Sequence, residues 1–184
     1  MSNMLLDNKV LNILEEFSSD YNKRIYGRDI AKRLKMNQKT VSNILNKLEK
    51  ENILKFSYEG KNKYYYLNRF NPSIKEVVKL VEIDRKIRFI ARNKNLRELF
   101  EKLEEKTQGI LIVFGSYARG EDTSKSDIDI AIVTRMESSL DLKRFEKQIN
   151  RKINIYEVRI KECKKEFINN LANGIVLYGF LKVI

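Results

Sequence analysis

Apolar residues recur at helical spacing in three stretches of the N-terminal third of the chain. The first two stretches predict helices over about Leu5–Ser18, with Leu6 among the inward positions, and over Gly27–Lys35. Asn37 follows as a suitable N-cap for a third helix. Because the apolar stripe of that helix occupies one side, its polar residues are left on the outer side. The outward set is Gln38, Lys39, Thr40, Ser42, Asn43 and Lys47.

Two segments rich in β-branched and aromatic residues come next. They predict strands over Ile53–Tyr58 and Lys63–Leu67, joined in a hairpin by the turn-forming residues between them. After the single proline, three-and-four spacing predicts a long helix over about 73–92, and Asn95 is a suitable cap for another. The remaining chain alternates apolar β-type runs with helices. This change of pattern indicates a second domain.

Positive charge is concentrated near the N-terminus. The 184 residues include 37 Lys and Arg against 25 Asp and Glu, a net charge of +12, and 42% of them are apolar. The segment from Lys23 to Lys50 alone holds 9 basic and 2 acidic side chains. This distribution favours a polyanionic partner for the N-terminal part, and a solvated basic surface is the alternative.

Several kinds of chemistry are excluded by residues that the chain lacks. It has no histidine, which removes Ser-His-Asp triads and zinc sites of the Cys/His kind. The single cysteine, Cys163, cannot form an internal disulfide, which fits a reducing compartment. No apolar run approaches the ~20 residues that span a bilayer, and no signal peptide is visible. We therefore expect a cytoplasmic protein without a membrane partner.

The segment from Gly109 to Val133 contains the residues best suited to catalysis. An apolar strand, Ile110–Phe114, runs into Gly115 and Ser116, and Asp127-Ile128-Asp129 opens a second strand. Residues i and i+2 of a strand point to one face, so the two carboxylates project together and favour a bridging divalent metal. Gly115 permits close approach of the backbone to a phosphate, and Ser116 supplies a hydroxyl at a helix start.

The N-terminal part resembles the winged helix-turn-helix family over Gly27–Leu67. The stretch GRDIAKRLKMNQKTVSNILNKLEKENIL is similar to its second helix, turn and recognition helix, and KFSYEGKNKYYYL to its wing. The resemblance implies a domain over 1–70 that binds double-stranded DNA through the outward residues of the third helix. A trihelical module that binds protein is the alternative.

The C-terminal part resembles the DNA polymerase β-like nucleotidyltransferases, whose signature is Gly-Ser followed about ten residues later by Asp-x-Asp. The closest subgroup is the minimal nucleotidyltransferases, to which Tyr117–Gly120 and Gly174–Gly179 are also similar. The resemblance implies an α+β protein in two domains, with a helical linker over 71–94 and a small mixed-sheet nucleotidyltransferase fold over 95–184.

The same resemblance implies the transfer of a nucleoside monophosphate, with AMP as the expected group, from ATP or another nucleoside triphosphate to an acceptor hydroxyl. One or two Mg²⁺ ions would be held by the catalytic pair Asp127 and Asp129. Gly115 and Ser116 would bind the nucleotide phosphates, and Arg119 would neutralise developing charge. Related small enzymes are antitoxins that modify a partner toxin, so a protein acceptor and a homodimer are among the expected partners.

One position departs from the family pattern. The usual third carboxylate on the next strand is replaced by Asn154, which becomes the third expected metal ligand. Glu157 lies three residues on, so a regular strand points it to the opposite face. The alternative function is therefore a transcription regulator whose nucleotidyltransferase domain is degenerate and serves nucleotide sensing or assembly.

Overall fold

The structure is a computed structural model that describes residues 2–5, 7–18, 20–137 and 140–180. The predicted inward position Leu6 lies outside the described residues. The described residues divide into two compact units, one up to residue 84 and one from residue 85 onward. Both units combine helices with a sheet, so the predicted α+β class in two domains is confirmed.

Four helices open the first unit, and the third and fourth are the pair that the sequence pattern predicted best. Helix α4 begins after Asn37, whose Oδ1 accepts hydrogen bonds from Lys39 N at 2.9 Å and Thr40 N at 3.4 Å, so the predicted cap is confirmed. The predicted first helix is instead interrupted near Asp7, whose Oδ1 accepts from Lys9 N at 2.7 Å. The helices are α1 (Ser2–Leu5), α2 (Asn8–Ser18), α3 (Gly27–Arg33) and α4 (Gln38–Lys50).

Three antiparallel strands complete the first unit. Strands β2 (Leu54–Glu59) and β3 (Asn62–Leu67) form the predicted hairpin, and β1 (Ile25–Tyr26) adds to β3 in the order β1-β3-β2. The two-residue turn starts at Gly60, whose φ of 60° suits a residue without a Cβ. The short strand β1 was not predicted, because two residues carry no readable alternation.

The core of the first unit lies between the helices and the inner face of this sheet. Phe17, Ile30 and Leu45 are fully enclosed there, and Tyr65 reaches it from β3. Helix α5 (Ile74–Arg92) contributes its first half to the same core. The residues that it contributes are Ile74, Val77, Val78 and Val81.

The second unit is built around a four-stranded sheet in the order β6-β5-β4-β7. Strands β5 and β6 are parallel, whereas β4 is antiparallel to both of its neighbours, so the predicted mixed sheet is confirmed. Helix α8 makes the crossover that a parallel pair requires. The elements are α6 (Arg97–Lys106), β4 (Thr107–Phe114), α7 (Gly115–Arg119), β5 (Ile128–Met136), α8 (Leu142–Ile149), β6 (Ile153–Val158), α9 (Lys165–Ala172) and β7 (Ile175–Tyr178).

The prediction that Asn95 caps a helix is wrong. Asn95 lies inside a 3₁₀ turn, Lys94–Leu96, and α6 starts after Leu96 without a side-chain cap. The turn forms because Leu96 is fully buried and its N–H donates to the carbonyl of Asn93 at 3.0 Å. Tertiary burial of one apolar side chain therefore decides where this helix begins.

Alternation along the strands places residues on two faces of the sheet, and both faces are largely buried, since Ile112 and Ala131 on the second face are fully enclosed. Leu111, Ile130 and Ile153 are among the buried residues of one face, which packs against Leu99 and Phe100 of α6. Residues at the intervening positions occupy the other face. In the described part of the chain, no helix has the length and apolar character that a membrane crossing requires.

Candidate functional site

The predicted site residues Asp129 and Asn154 meet at the start of the two parallel strands. Asp129 on β5 is the direct partner of Asn154 on β6. Their neighbours Ile128 and Ile130 are fully buried on the core side. Both polar side chains therefore project from the opposite face, as the alternation of the sequence predicts.

The Asn154 amide joins the two aspartates. Its Nδ2 donates to Asp129 Oδ1 at 3.0 Å and lies 3.4 Å from Asp127 Oδ2. A donor shared between two carboxylates offsets part of their mutual repulsion. The three residues thus form one hydrogen-bonded cluster, in which Asp127 is exposed and the other two are half-buried.

Gly115 lies directly against this cluster. Its φ is 74°, and a Cβ at this position would stand 3.0 Å from Asp129 Oδ2. Glycine is therefore required both by the backbone conformation and by the space beside the carboxylate. Gly115 also begins α7, which places the amide and hydroxyl of Ser116 next in the chain.

Arg151 holds the loop that leads to Asp127. Its guanidinium donates to the carbonyl oxygens of Thr123 and Ser126, the latter at 3.1 Å. It also lies 5.3 Å from the centre of the Tyr117 ring, and burial raises the pKa of that phenol. The sequence analysis missed this residue, because an arginine before a strand gives no signal of what it will contact.

Arg119, predicted to assist the nucleotide, takes part in a surface ion pair. Its Nε lies 2.6 Å from Glu121 Oε2, and both side chains are about half exposed. The helix α7 that carries Arg119 ends at Gly120, in a left-handed conformation with φ 70°. The contacts of the described residues therefore bring Gly115, Asp127, Asp129 and Asn154 together, but do not include Arg119.

Glu157 occupies the position expected of it, away from the cluster. It pairs with Ile132 rather than with an aspartate, and it is exposed. In the described part of the chain, no group of three or more Asp, Glu, His or Cys side chains is suitably placed to hold a metal. Any cation at this site would therefore depend on two carboxylates and the Asn154 amide.

Those residues fit a magnesium ion whose coordination shell is completed by the phosphates of the substrate. Mg²⁺ commonly takes one or two protein carboxylates and completes its shell with water and substrate phosphates. Asp127 and Asp129 supply the carboxylates, and turning the Asn154 side chain would present Oδ1 in place of Nδ2. A second ion would lack a charged ligand from β6, because Asn154 is neutral.

Helix α4 presents the predicted DNA-contacting residues to solvent. Gln38, Lys39 and Asn43 are exposed, as are Ser42 and Lys47, and Thr40 is half-buried. The opposite side of the helix is fixed by Val41, Leu45 and Leu48 in the core. A polar, basic helix on a rigid base is the arrangement that reads a major groove.

Family models match both parts of the chain. Residues 5–55 match the family described as winged helix-turn-helix DNA-binding, and residues 93–178 match the nucleotidyltransferase domain family. The chain thus joins a DNA-binding winged helix-turn-helix to a nucleotidyltransferase domain.

Among solved structures, the chain is similar to the crystal structure of AF1382 from Archaeoglobus fulgidus. The two are 22% identical with a TM-score of 0.37, over 43% of this chain and 88% of that chain. No curated protein matches.

Proposed function

We propose that the protein binds duplex DNA through α4 and transfers a nucleoside monophosphate, from ATP or another nucleoside triphosphate, to an acceptor hydroxyl. The observation that carries the proposal is the position of the Gly115 backbone beside Asp129, where an added Cβ would stand 3.0 Å from Oδ2, next to Asp127 and Asn154. It puts a backbone able to approach phosphates next to carboxylates able to hold a cation. We place this activity in a cytoplasmic homodimer.

In this reaction the acceptor oxygen forms a bond to the α-phosphorus, and the bond from that phosphorus to pyrophosphate breaks. Asp127 and Asp129 would hold Mg²⁺, which supplies charge neutralisation and alignment of the reacting oxygens. The Gly115 backbone and the Ser116 hydroxyl would bind the phosphates that leave. Arg119 would have to part from Glu121 before it could assist them.

Labelled nucleotide tests the proposal directly. The full chain is incubated with α-labelled ATP, Mg²⁺ and a lysate of its source, and acceptors are separated by size and by nuclease and protease treatment. We expect Asp129→Asn to abolish labelling, because the charged ligand is lost. Glu157→Gln, which removes the same charge from the other face of β6, is the matched control and should label normally.

The second candidate function is a transcription regulator that senses nucleotide without transferring it. The observation that favours it is the Asn154 amide, which lies where the family usually has a carboxylate and already satisfies both aspartates. It predicts that ATP with Mg²⁺ changes the affinity for duplex DNA while no acceptor becomes labelled. Labelling that depends on Asp129 would refute it.

A further inference from the structure

The outer face of the first sheet carries three tyrosines. Tyr65 and Leu67 of β3 are buried in the core, at 4% and 2% exposure. Because side chains alternate along a strand, Tyr64 and Tyr66 lie on the opposite face. Tyr26 of β1 is the direct partner of Tyr64 and shares that face. These three half-buried tyrosines define the tyrosine face.

The tyrosine rings lie against one another and against guanidinium groups. The centres of the Tyr26 and Tyr64 rings are 5.8 Å apart, and the ring planes are inclined by 39°. The guanidinium of Arg28 lies 5.8 Å from the centre of the Tyr26 ring. That of Arg24 lies 5.6 Å from the centre of the Tyr66 ring. Both arginines are exposed, so cations cover part of the aromatic surface.

The tyrosine face is positively charged. Lys55 on β2, the direct partner of Tyr66, adds a third exposed cation. Glu59 Oε1 lies 3.7 Å from Arg24 Nη1. In the described part of the chain, no carboxylate pairs with Arg28 or Lys55. The described contacts of this face thus include three cations and one carboxylate, a balance that suits an anionic ligand.

Helix α4 packs on the other side of the same sheet. The hydroxyl of Tyr65 donates to Asn46 Oδ1 of α4 at 2.9 Å, and Lys63 Nζ donates to the same atom at 3.4 Å. Tyr65 is a residue of the inner face, so these bonds attach α4 to that face. The tyrosine face is therefore distinct from the surface that α4 presents to a duplex.

We propose that the tyrosine face binds single-stranded nucleic acid, whose bases stack on the tyrosine rings and the guanidinium groups. Its phosphates pair with Arg28 and Lys55. Bases of any sequence stack on tyrosine rings and on guanidinium planes, because every base has an aromatic face. The inference goes beyond the proposed function and does not depend on the aspartate cluster.

The spacing of the rings favours a single strand over a duplex. Tyr64 and Tyr66 are two residues apart on β3, a distance of about 7 Å. This is twice the roughly 3.4 Å between stacked bases, so neighbouring bases reach both rings only when they are unstacked. The bases inside a duplex keep their faces covered by their neighbours. An acidic protein segment would pair with the cations but would leave the ring faces unused.

Binding of unstructured oligonucleotides tests the tyrosine face. Anisotropy is measured on the full chain with labelled strands of roughly 12 nucleotides, one of RNA and one of DNA, in the presence of excess unlabelled duplex. The variant Tyr64→Leu with Tyr66→Leu should bind the single strand at least tenfold more weakly, since each stacked base contributes roughly fivefold or more. Its affinity for duplex should be unchanged, which also shows that the winged unit is folded.

The matched control is Tyr58→Leu. Tyr58 is a tyrosine of the same hairpin, 66% exposed, and its partner Lys63 lies against the inner-face rings of Phe56 and Tyr65. Removal of its ring should leave binding of the single strand unchanged. Equal affinities of this control and the double tyrosine variant would overturn the proposal, as would displacement of the labelled strand by the duplex.

The exposed cations provide a second arm that does not disturb the sheet. Arg28→Gln with Lys55→Gln should reduce the slope of log affinity against log salt by about 1.4 for the single strand. The charge-matched control is Lys75→Gln with Lys79→Gln, on the exposed side of α5, and should keep the wild-type slope. This pair decides the question if the tyrosine variant also loses duplex binding.

Polyglutamate is the competitor that separates the two kinds of anionic partner. The proposal predicts that it displaces the labelled strand far less effectively than an unlabelled single strand does. Equal displacement by polyglutamate would assign the face to an acidic protein segment and overturn the proposal. Binding of either the RNA or the DNA strand supports it, and binding of neither would overturn it.

Discussion

At the scale of single residues, the rate of the proposed transfer is expected to depend most on Asn154. Its amide donates to Asp129 at 3.0 Å and therefore lies where a third carboxylate would act. An amide is a neutral ligand and a very poor proton acceptor, whereas general-base assistance contributes about 10²–10⁴ in rate. On the proposed function, we therefore expect slow transfer, because general-base assistance from this position is weak.

Asn154→Asp should raise both metal affinity and transfer, because it adds a charged ligand on the correct face. Glu157→Gln should change neither, since that side chain lies on the other face of β6. Mn²⁺ binding followed by magnetic resonance, together with labelled transfer, measures the two effects. If Glu157→Gln abolished transfer and Asn154→Asp did nothing, Glu157 would be the third ligand.

Gly115→Ala should disrupt the site more than a glycine replacement normally does. A residue with a Cβ at φ 74° costs about 1 kcal/mol in backbone strain, and here the Cβ would also press on Asp129 Oδ2. Gly60→Ala is the control, because its φ is 60° and the space around it is open. We expect similar losses in thermal stability from strain, with ATP binding lost only in Gly115→Ala.

The residue scale also shows what a sequence can and cannot predict here. Strand alternation predicts the shared face of Asp127 and Asp129, whereas the place of Asn154 beside them was expected only from the family resemblance. Arg151 was missed, since its contacts with Thr123 and Ser126 depend on a loop whose path no periodicity describes. The roles of all these residues in catalysis stay predictions.

At the scale of elements, α4 illustrates agreement between several local signals. Its cap, its apolar stripe and its polar outer side all indicate the same helix, and the structure places each as expected. The start of α6 was wrong because burial of Leu96 outweighs the capping preference of Asn95. Elements were therefore predictable where local and tertiary preferences coincide.

Duplex binding by α4 should weaken steeply with salt, because lysines that neutralise phosphates release counterions. Lys39→Ala with Lys47→Ala should lower affinity for most sequences and reduce the salt slope by about 2. Gln38→Ala or Asn43→Ala should instead change sequence preference. Titrations at two salt concentrations measure this, and an affinity independent of salt would contradict it.

At the scale of the whole molecule, helix α5 belongs to both units. The division at residues 84 and 85 falls within it, and its first half supplies four buried residues to the first core. The apolar spacing of the sequence predicts this helix. Residues 71–94 were nevertheless interpreted as a linker, because an amphipathic pattern does not show which core a helix packs against.

A fragment ending at residue 84 should be more stable than one ending at residue 70. The longer fragment keeps Ile74, Val77, Val78 and Val81, and burial of each apolar side chain contributes about 1.5 kcal/mol or more. Thermal melts of the two fragments make the comparison, with duplex binding as a second readout. Equal melting temperatures would show that α5 is dispensable to the first core.

The order of strands in the second sheet also affects the protein while it is being synthesised. Strand β4 is made first, yet one of its two neighbours, β7, is made last. The loop before Asp127 also needs the contacts of Arg151, which is synthesised 24 residues after Asp127. The winged unit can therefore fold and search for DNA while the aspartate cluster is still unassembled, and nascent chains should acquire DNA binding before nucleotide binding.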